Sequence, residues 1–185
     1  MVNFATHRPS LFPTRRPAAA ALALLLLAAG CPLDSGGGVD LDRAILVNDA
    51  ADSVLATMSD AVDSGQVTVN DDKAAALVAP EPGATLARAT PPQFAWSLPS
   101  GKRGRGTTTS GEFVWLQFSG GGLTRTIDVL AVGVSSWTPT SDEWAELAAA
   151  TGTVTLTLTN AALESGVLAD GPYRATLPAT FSIAP

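Results

Sequence analysis

Over residues 153–159 the chain alternates without a break: Val154, Leu156 and Leu158 fall on one side and four threonines on the other. A period of two marks a half-buried strand, and β-branched threonine suits the polar face of a pleated sheet. The segment therefore reads as a central strand, with an apolar row turned to a core and a hydroxyl row turned to water. Shorter stretches repeat the pattern. Phe94, Trp96 and Leu98 alternate with Ala95 and Ser97, and Phe181 and Ile183 make a closing strand. Residues 113–119 are apolar enough to be buried on both faces for part of their length. Gly120, Gly121 and Gly122 supply a turn where positive φ costs nothing, and residues 123–130 return as the second arm of a hairpin. In that arm Ile127 and Val129 are expected inward, and Thr126 and Asp128 outward. One helix is expected between Thr140 and Gly152. Thr140 and Glu143 have the spacing of a capping box, Gly152 suits a left-handed stop, and Trp144, Leu147 and Ala148 form the inward side.

Three further features fix the register of this reading: the run Pro80-Glu81-Pro82-Gly83-Ala84-Thr85-Leu86, the run Pro91-Pro92-Gln93-Phe94-Ala95-Trp96-Ser97, and the rows Val154/Leu156/Leu158 and Phe181/Ile183. With Trp96 as the core tryptophan of its second strand, the segment resembles the fibronectin type III and related immunoglobulin-like modules of bacterial surface proteins. The resemblance implies a mainly β chain in which residues 80–185 form an immunoglobulin-like β-sandwich with one short inserted helix.

The N-terminal part reads differently. Residues 1–16 carry Arg8, Arg15 and Arg16 with no acid, and residues 18–29 are a 12-residue run of Ala and Leu. That is the pattern of a secretory signal peptide; a membrane-spanning helix needs about 20 apolar residues. The run closes on Ala28-Ala29-Gly30-Cys31, which resembles the lipobox of bacterial lipoproteins, with Ala28 where the family usually has Leu. The resemblance implies removal of residues 1–30, acylation of the Cys31 thiol, and stable anchoring at the membrane of the cell envelope, since two acyl chains hold where one does not. Residues 31–79 are expected to be a lipidated tether and acidic stalk, partly helical or disordered. Residues 32–38 are a polar, glycine-rich leader, and Leu41, Ala44, Ile45, Ala51, Leu55, Met58 and Val62 recur at helical spacings, with Asp40 as cap and Gly65 as stop.

Charge and composition narrow the chemistry. After residue 30 the chain keeps eight bases against 17 acids, a balance that disfavours nucleic acid and anionic surfaces as partners. The only histidine, His7, lies in the segment to be removed, and the only cysteine is the acylated one. Nucleophiles that depend on histidine and His/Cys zinc sites are therefore excluded. Asp60, Asp63, Asp71 and Asp72 lack the spacing of a calcium loop, and Asp142 with Glu146 is the kind of carboxylate pair usually found on a solvated helix face. No cofactor is implied and no enzyme is expected. Lys102, Arg103 and Arg105 concentrate three bases in a glycine-rich loop, read either as an anion or polysaccharide contact or as a solvated loop tip. Four tryptophans follow Cys31. Trp96 and Trp144 have core spacing, whereas Trp115 and Trp137 are candidates for an exposed stacking platform as well as for the core. The function expected is a membrane-anchored, non-catalytic module that binds envelope proteins or plays a structural part. The alternative is a carbohydrate-binding module that uses an exposed tryptophan.

Overall fold

A computed structural model of the chain describes residues 39–99 and 106–185. After a 3-10 turn at Leu41–Arg43 come β1 (Ile45–Val47), α1 (Asp52–Asp63), β2 (Thr68–Val69), β3 (Ala76–Ala79), β4 (Thr85–Leu86) and β5 (Phe94–Ser97). There follow β6 (Gly111–Gly120), β7 (Ile127–Val132), β8 (Ser136–Trp137), α2 (Ser141–Leu147), β9 (Thr153–Glu164), β10 (Val167–Arg174) and β11 (Ala179–Ile183). The alternating threonine segment opens β9, which is central. Along one edge it pairs with β6 from Val154 to Leu163. Along the other it pairs first with β11, over Thr153 to Leu156, and then with β10, from Thr159 to Glu164. The large sheet continues through β7 to β1 on one side, through β10 to β2, and through β11 to β4. A smaller sheet has the order β3-β5-β8.

The two sheets enclose one core. From the large sheet come Val114, Leu116, Phe118, Ile127, Val129, Val154, Leu156 and Phe181; from the small one Phe94, Trp96 and Trp137; and α2 closes the end with Trp144 and Leu147. Four aromatic rings meet at its centre. Phe94 lies 5.1 Å from Phe118 edge-on, 5.7 Å from Trp137 in a stack, and 5.8 Å from Phe181. The β6–β7 hairpin turns through Gly120, Gly121 and Gly122, all at positive φ. At Gly121 a side chain is disfavoured for a second reason, because a Cβ there would meet Val154 Cγ2 at 2.8 Å and force it to shift. The capping box of α2 forms as its spacing predicts: Thr140 Oγ1 accepts from the Glu143 amide at 3.3 Å, and the Glu143 carboxylate accepts from the Thr140 amide at 2.7 Å. Its end differs from expectation. The helix stops at Leu147, Ala148 caps it in a right-handed conformation, and the Gly152 amide instead donates to the Gly121 carbonyl at 3.1 Å.

The largest correction lies before Pro80. Residues 39–79 are not a stalk, and the fold does not begin at residue 80. Helix α1 lies on the face of the large sheet opposite the small one, where Val54, Leu55, Met58 and Ala61 are buried. It packs on Phe113, Trp115, Leu130, Val132, Ala161 and Leu163 in a second core. The reason is the chemistry of β6 and β7, which carry large apolar groups on both faces and therefore need a cover on each. The helical stripe read from 41 to 62 is also shorter than its spacing suggests. Asn48 and Asp49 sit at positive φ and break it, and residues 45–47 are spent as a strand parallel to β7. At the other end Gly65 takes the left-handed stop as expected, with the Gln66 amide reaching the Ala61 carbonyl and the Gly65 amide the Val62 carbonyl.

The fibronectin-like plan is met only at the level of a mainly β chain with two facing sheets. Three ladders are parallel, β1 with β7, β2 with β10 and β4 with β11, whereas immunoglobulin-like sheets are antiparallel. Asp128 is also placed differently from expectation: every residue of β7 is buried, Asp128 included, because the second face of the strand has its own cover.

Candidate functional site

The two tryptophans singled out as stacking platforms offer no ring to solvent. Trp115 is 1% exposed beneath α1, and its indole Nε1 donates to Asp128 Oδ1 at 2.9 Å. Trp137 is 7% exposed and stacked on Phe94. Burial of both removes the basis for sugar binding through an exposed tryptophan. Lys102, Arg103, Arg105 and Cys31 lie outside the described residues. Of the carboxylate pair on α2, Glu146 is committed to Arg125 through hydrogen bonds of 2.8 and 2.9 Å. Asp60, Asp63, Asp71 and Asp72 do not converge, and among the described residues no group of three or more His, Cys, Asp and Glu is placed to hold a metal.

Among the described residues two concave features of several hundred Å³ stand out, and the topology makes both. The first is an apolar seam of about 460 Å³ at one side of the molecule, between β3 of the small sheet and β9 of the large one. Ala75, Leu77, Pro82, Leu156, Leu158 and Leu177 contribute to its wall, and no charged side chain does. The seam exists because β9 changes partner there: the β11 ladder ends at Leu156, the β10 ladder begins at Thr159, and residues 175–178 cross between them. Leu177 on that crossing is 79% exposed, and Val78 at the end of β3 is 58% exposed. Sequence periodicity gave no hint of the seam, because many of its residues are alanine and their arrangement depends on which strands pair.

The second is a polar cleft of about 330 Å³ lined by Asp72, Lys73, Glu112, Asn160, Asp170 and Tyr173 among others. The buried Asn160 of β9 holds its floor in place, accepting from the Ala75 amide at 2.7 Å and donating to the Lys73 carbonyl at 3.1 Å. The Tyr173 hydroxyl donates to Asp170, and Lys73 Nζ donates to that hydroxyl at 3.1 Å while lying 4.9 Å from the ring centre. These contacts hold the Lys73 ammonium above its ordinary pKa, the bond to Tyr173 being the main cause. Beside the cleft, Asp71 accepts from both the amide and the hydroxyl of Thr176, at 2.7 and 2.9 Å, which pulls its pKa down. Asn160, Tyr173, Lys73 and Asp71 each bind another group here, so the cleft is a set of clamps joining residues 70–75 to β9 and β10.

A third polar group lies on the α1 side of the large sheet. Arg174 donates to Thr159 Oγ1 at 2.6 Å and to Gln117 Oε1 at 2.8 Å, and Gln117 donates in turn to Asp128 at 3.4 Å. Burial raises the Asp128 carboxyl above its ordinary pKa, with hydrogen bonds from Trp115 and Gln117 acting against it. The folded state thus keeps its proton to a higher pH than the unfolded chain does. Stability is therefore lost as pH rises from the ordinary carboxylate value through the raised one. Asp128→Asn, which keeps an acceptor for Trp115, is expected to remove that loss. The urea midpoint of the variant relative to the parent should climb as pH rises above the ordinary carboxylate value. Parallel curves for the two proteins would refute the assignment.

Hydroxyls meet carboxylates at Tyr173 with Asp170 and at Thr176 with Asp71, contacts that join chain segments, and the seam is the feature whose chemistry is least satisfied from within. Compared with family models, with curated proteins and with solved structures, the chain matches none.

Proposed function

We propose that this chain is an exported bacterial lipoprotein, held at a membrane of the cell envelope through acyl groups on Cys31, whose β-rich domain is a non-catalytic module that binds another protein. The reading treats the two-sheet core as an elaborated immunoglobulin-like module. The observation that carries it is the apolar seam, a concave, uncharged site at an open side of two sheets. Such a site suits contact with a polypeptide better than chemistry on a small molecule. The anchor is supported by Cys31 directly after Ala28-Ala29-Gly30 at the end of a 12-residue apolar run. Since the chain is already in the second core at Val39, the tether shrinks from residues 31–79 to the polar leader at 32–38.

The anchor is tested by metabolic labelling of the producing cells with an alkynyl fatty acid. The parent protein is expected to take up label and to sediment with membranes. Cys31→Ser is expected to lose the label and to appear unprocessed or in the soluble fraction. Label retained by the variant would refute lipidation.

A further inference from the structure

We infer that the seam is a strand-accepting site: an extended peptide, apolar at alternate positions and basic at its ends, lies in it and adds to β3. This rests on reading the domain as a protein-binding module, and it is independent of the lipid anchor. Three observations identify the occupant. The first is the hydrogen bonding on both walls. β3 is the outer strand of the small sheet, paired only with β5. Across the seam the edge of β9 that faces away from β6 has no strand partner at Thr157 and Leu158, between its β11 and β10 ladders. An open edge presents amides and carbonyls in a row that only another extended backbone can satisfy in series. Two devices that usually protect edges, an irregularity at Val78 and the proline at residue 80, sit at the far end of β3 and leave Ala76 and Leu77 accessible.

The second is the wall itself. The wall exposes the protruding Leu177 and, in part, Leu77, over the buried Leu156 and Leu158. A guest strand therefore needs apolar groups at every second position and polar ones facing water. The third is charge. Asp71 grips Thr176, between two residues of the wall, and the exposed Glu81 adjoins Pro82. Of the two bases near the wall in sequence, Arg174 is turned to the opposite face of the sheet and Lys73 is bonded to Tyr173 in the polar cleft. After residue 30 the chain carries 17 acids against eight bases. An acidic rim selects basic flanks and opposes pairing with a second copy, whose rim carries the same charge.

The test uses the full-length protein in detergent and a fluorescent peptide of five alternating valines and threonines with two lysines at each end, followed by anisotropy. Saturable binding is expected, with slowed hydrogen exchange at Ala76 and Leu77. Leu177→Glu changes an exposed crossing residue and is expected to leave the far-UV spectrum unchanged while weakening binding about tenfold or more. A central proline in the peptide should abolish binding. Glutamates in place of its lysines should weaken it about tenfold, by an amount that shrinks as salt is raised. No saturable binding, equal binding by the Leu177→Glu protein, or equal binding of the proline peptide would overturn the inference. So would dimerisation of the protein that is lost in Leu177→Glu, since the occupant would then be a second copy.

Discussion

A chain shortened to begin at Pro80 is expected to be molten or insoluble, although it keeps β4 to β11 and α2. It loses α1 and with it the cover over Phe113, Trp115, Leu130, Val132, Ala161 and Leu163. Burying one large apolar side chain stabilises by about 1.5 to 3 kcal/mol. Exposing this face therefore costs on the order of 10 kcal/mol, comparable to the roughly 5 to 15 kcal/mol that separates most domains from their unfolded state. The same cut removes β3, leaving β5 with one partner, and strips β1 and β2 from the large sheet. A chain that begins at Val39 is expected to unfold in one cooperative step with the midpoint of the full-length protein. Binding of a hydrophobic dye and loss of the near-ultraviolet signal would distinguish the molten state. A cooperative transition at an unchanged midpoint for the Pro80 chain would mean that α1 contributes little, contrary to the packing described above.

Phe94→Ala is expected to have the largest effect of any single substitution between the sheets. Phe94 is fully buried and touches the three other rings at the centre of the core, Phe118, Trp137 and Phe181. Large aromatic-to-alanine changes cost about 3 to 5 kcal/mol through lost transfer energy and the cavity left behind. Because this ring joins the two sheets, the cavity cannot be closed by moving one side chain. The upper half of that range is expected, read as a lowered denaturant midpoint with little change in slope. Phe94→Leu should recover much of the loss. A drop below 1 kcal/mol for the alanine variant would show that the sheets are held together elsewhere.

The strands that alternate cleanly are legible in the sequence because Val154, Leu156 and Leu158, or Phe94 and Trp96, bury one whole face, although the threonine row expected in water runs from exposed Thr153 to Thr159 buried against Arg174. The capping box at Thr140 is legible because it is local and needs only the spacing to Glu143. What misleads is the use of charge as a sign of disorder. The acids of α1 fall on its outer face, while Val54, Leu55, Met58 and Ala61 form a short apolar stripe of modest bulk. Modest bulk suffices, since the sheet beneath supplies Phe113 and Trp115. The information was present in residues 113–119, whose apolar groups on both faces imply two covering layers. The seam was not legible at all, because it depends on where one ladder along β9 ends and the next begins.

The three parallel ladders also set the order in which the molecule comes together. β1 bonds at Ile45 to Val129, β2 at Thr68 to Tyr173, and β4 at Thr85 to Ser182. Each early strand thus has its partner in the far third of the chain and must wait for it, β1 for β7, β2 for β10 and β4 for β11. Synthesis runs N-terminus first, so assembly runs against it: the late hairpins nucleate, and the early segments are added to finished edges. In the interval the early segments must wait unpaired beside their neighbours from other chains. Their excess of aspartate, besides parts such as that of Asp71 with Thr176 in the folded protein, then acts as a temporary solubilising group that keeps waiting chains apart.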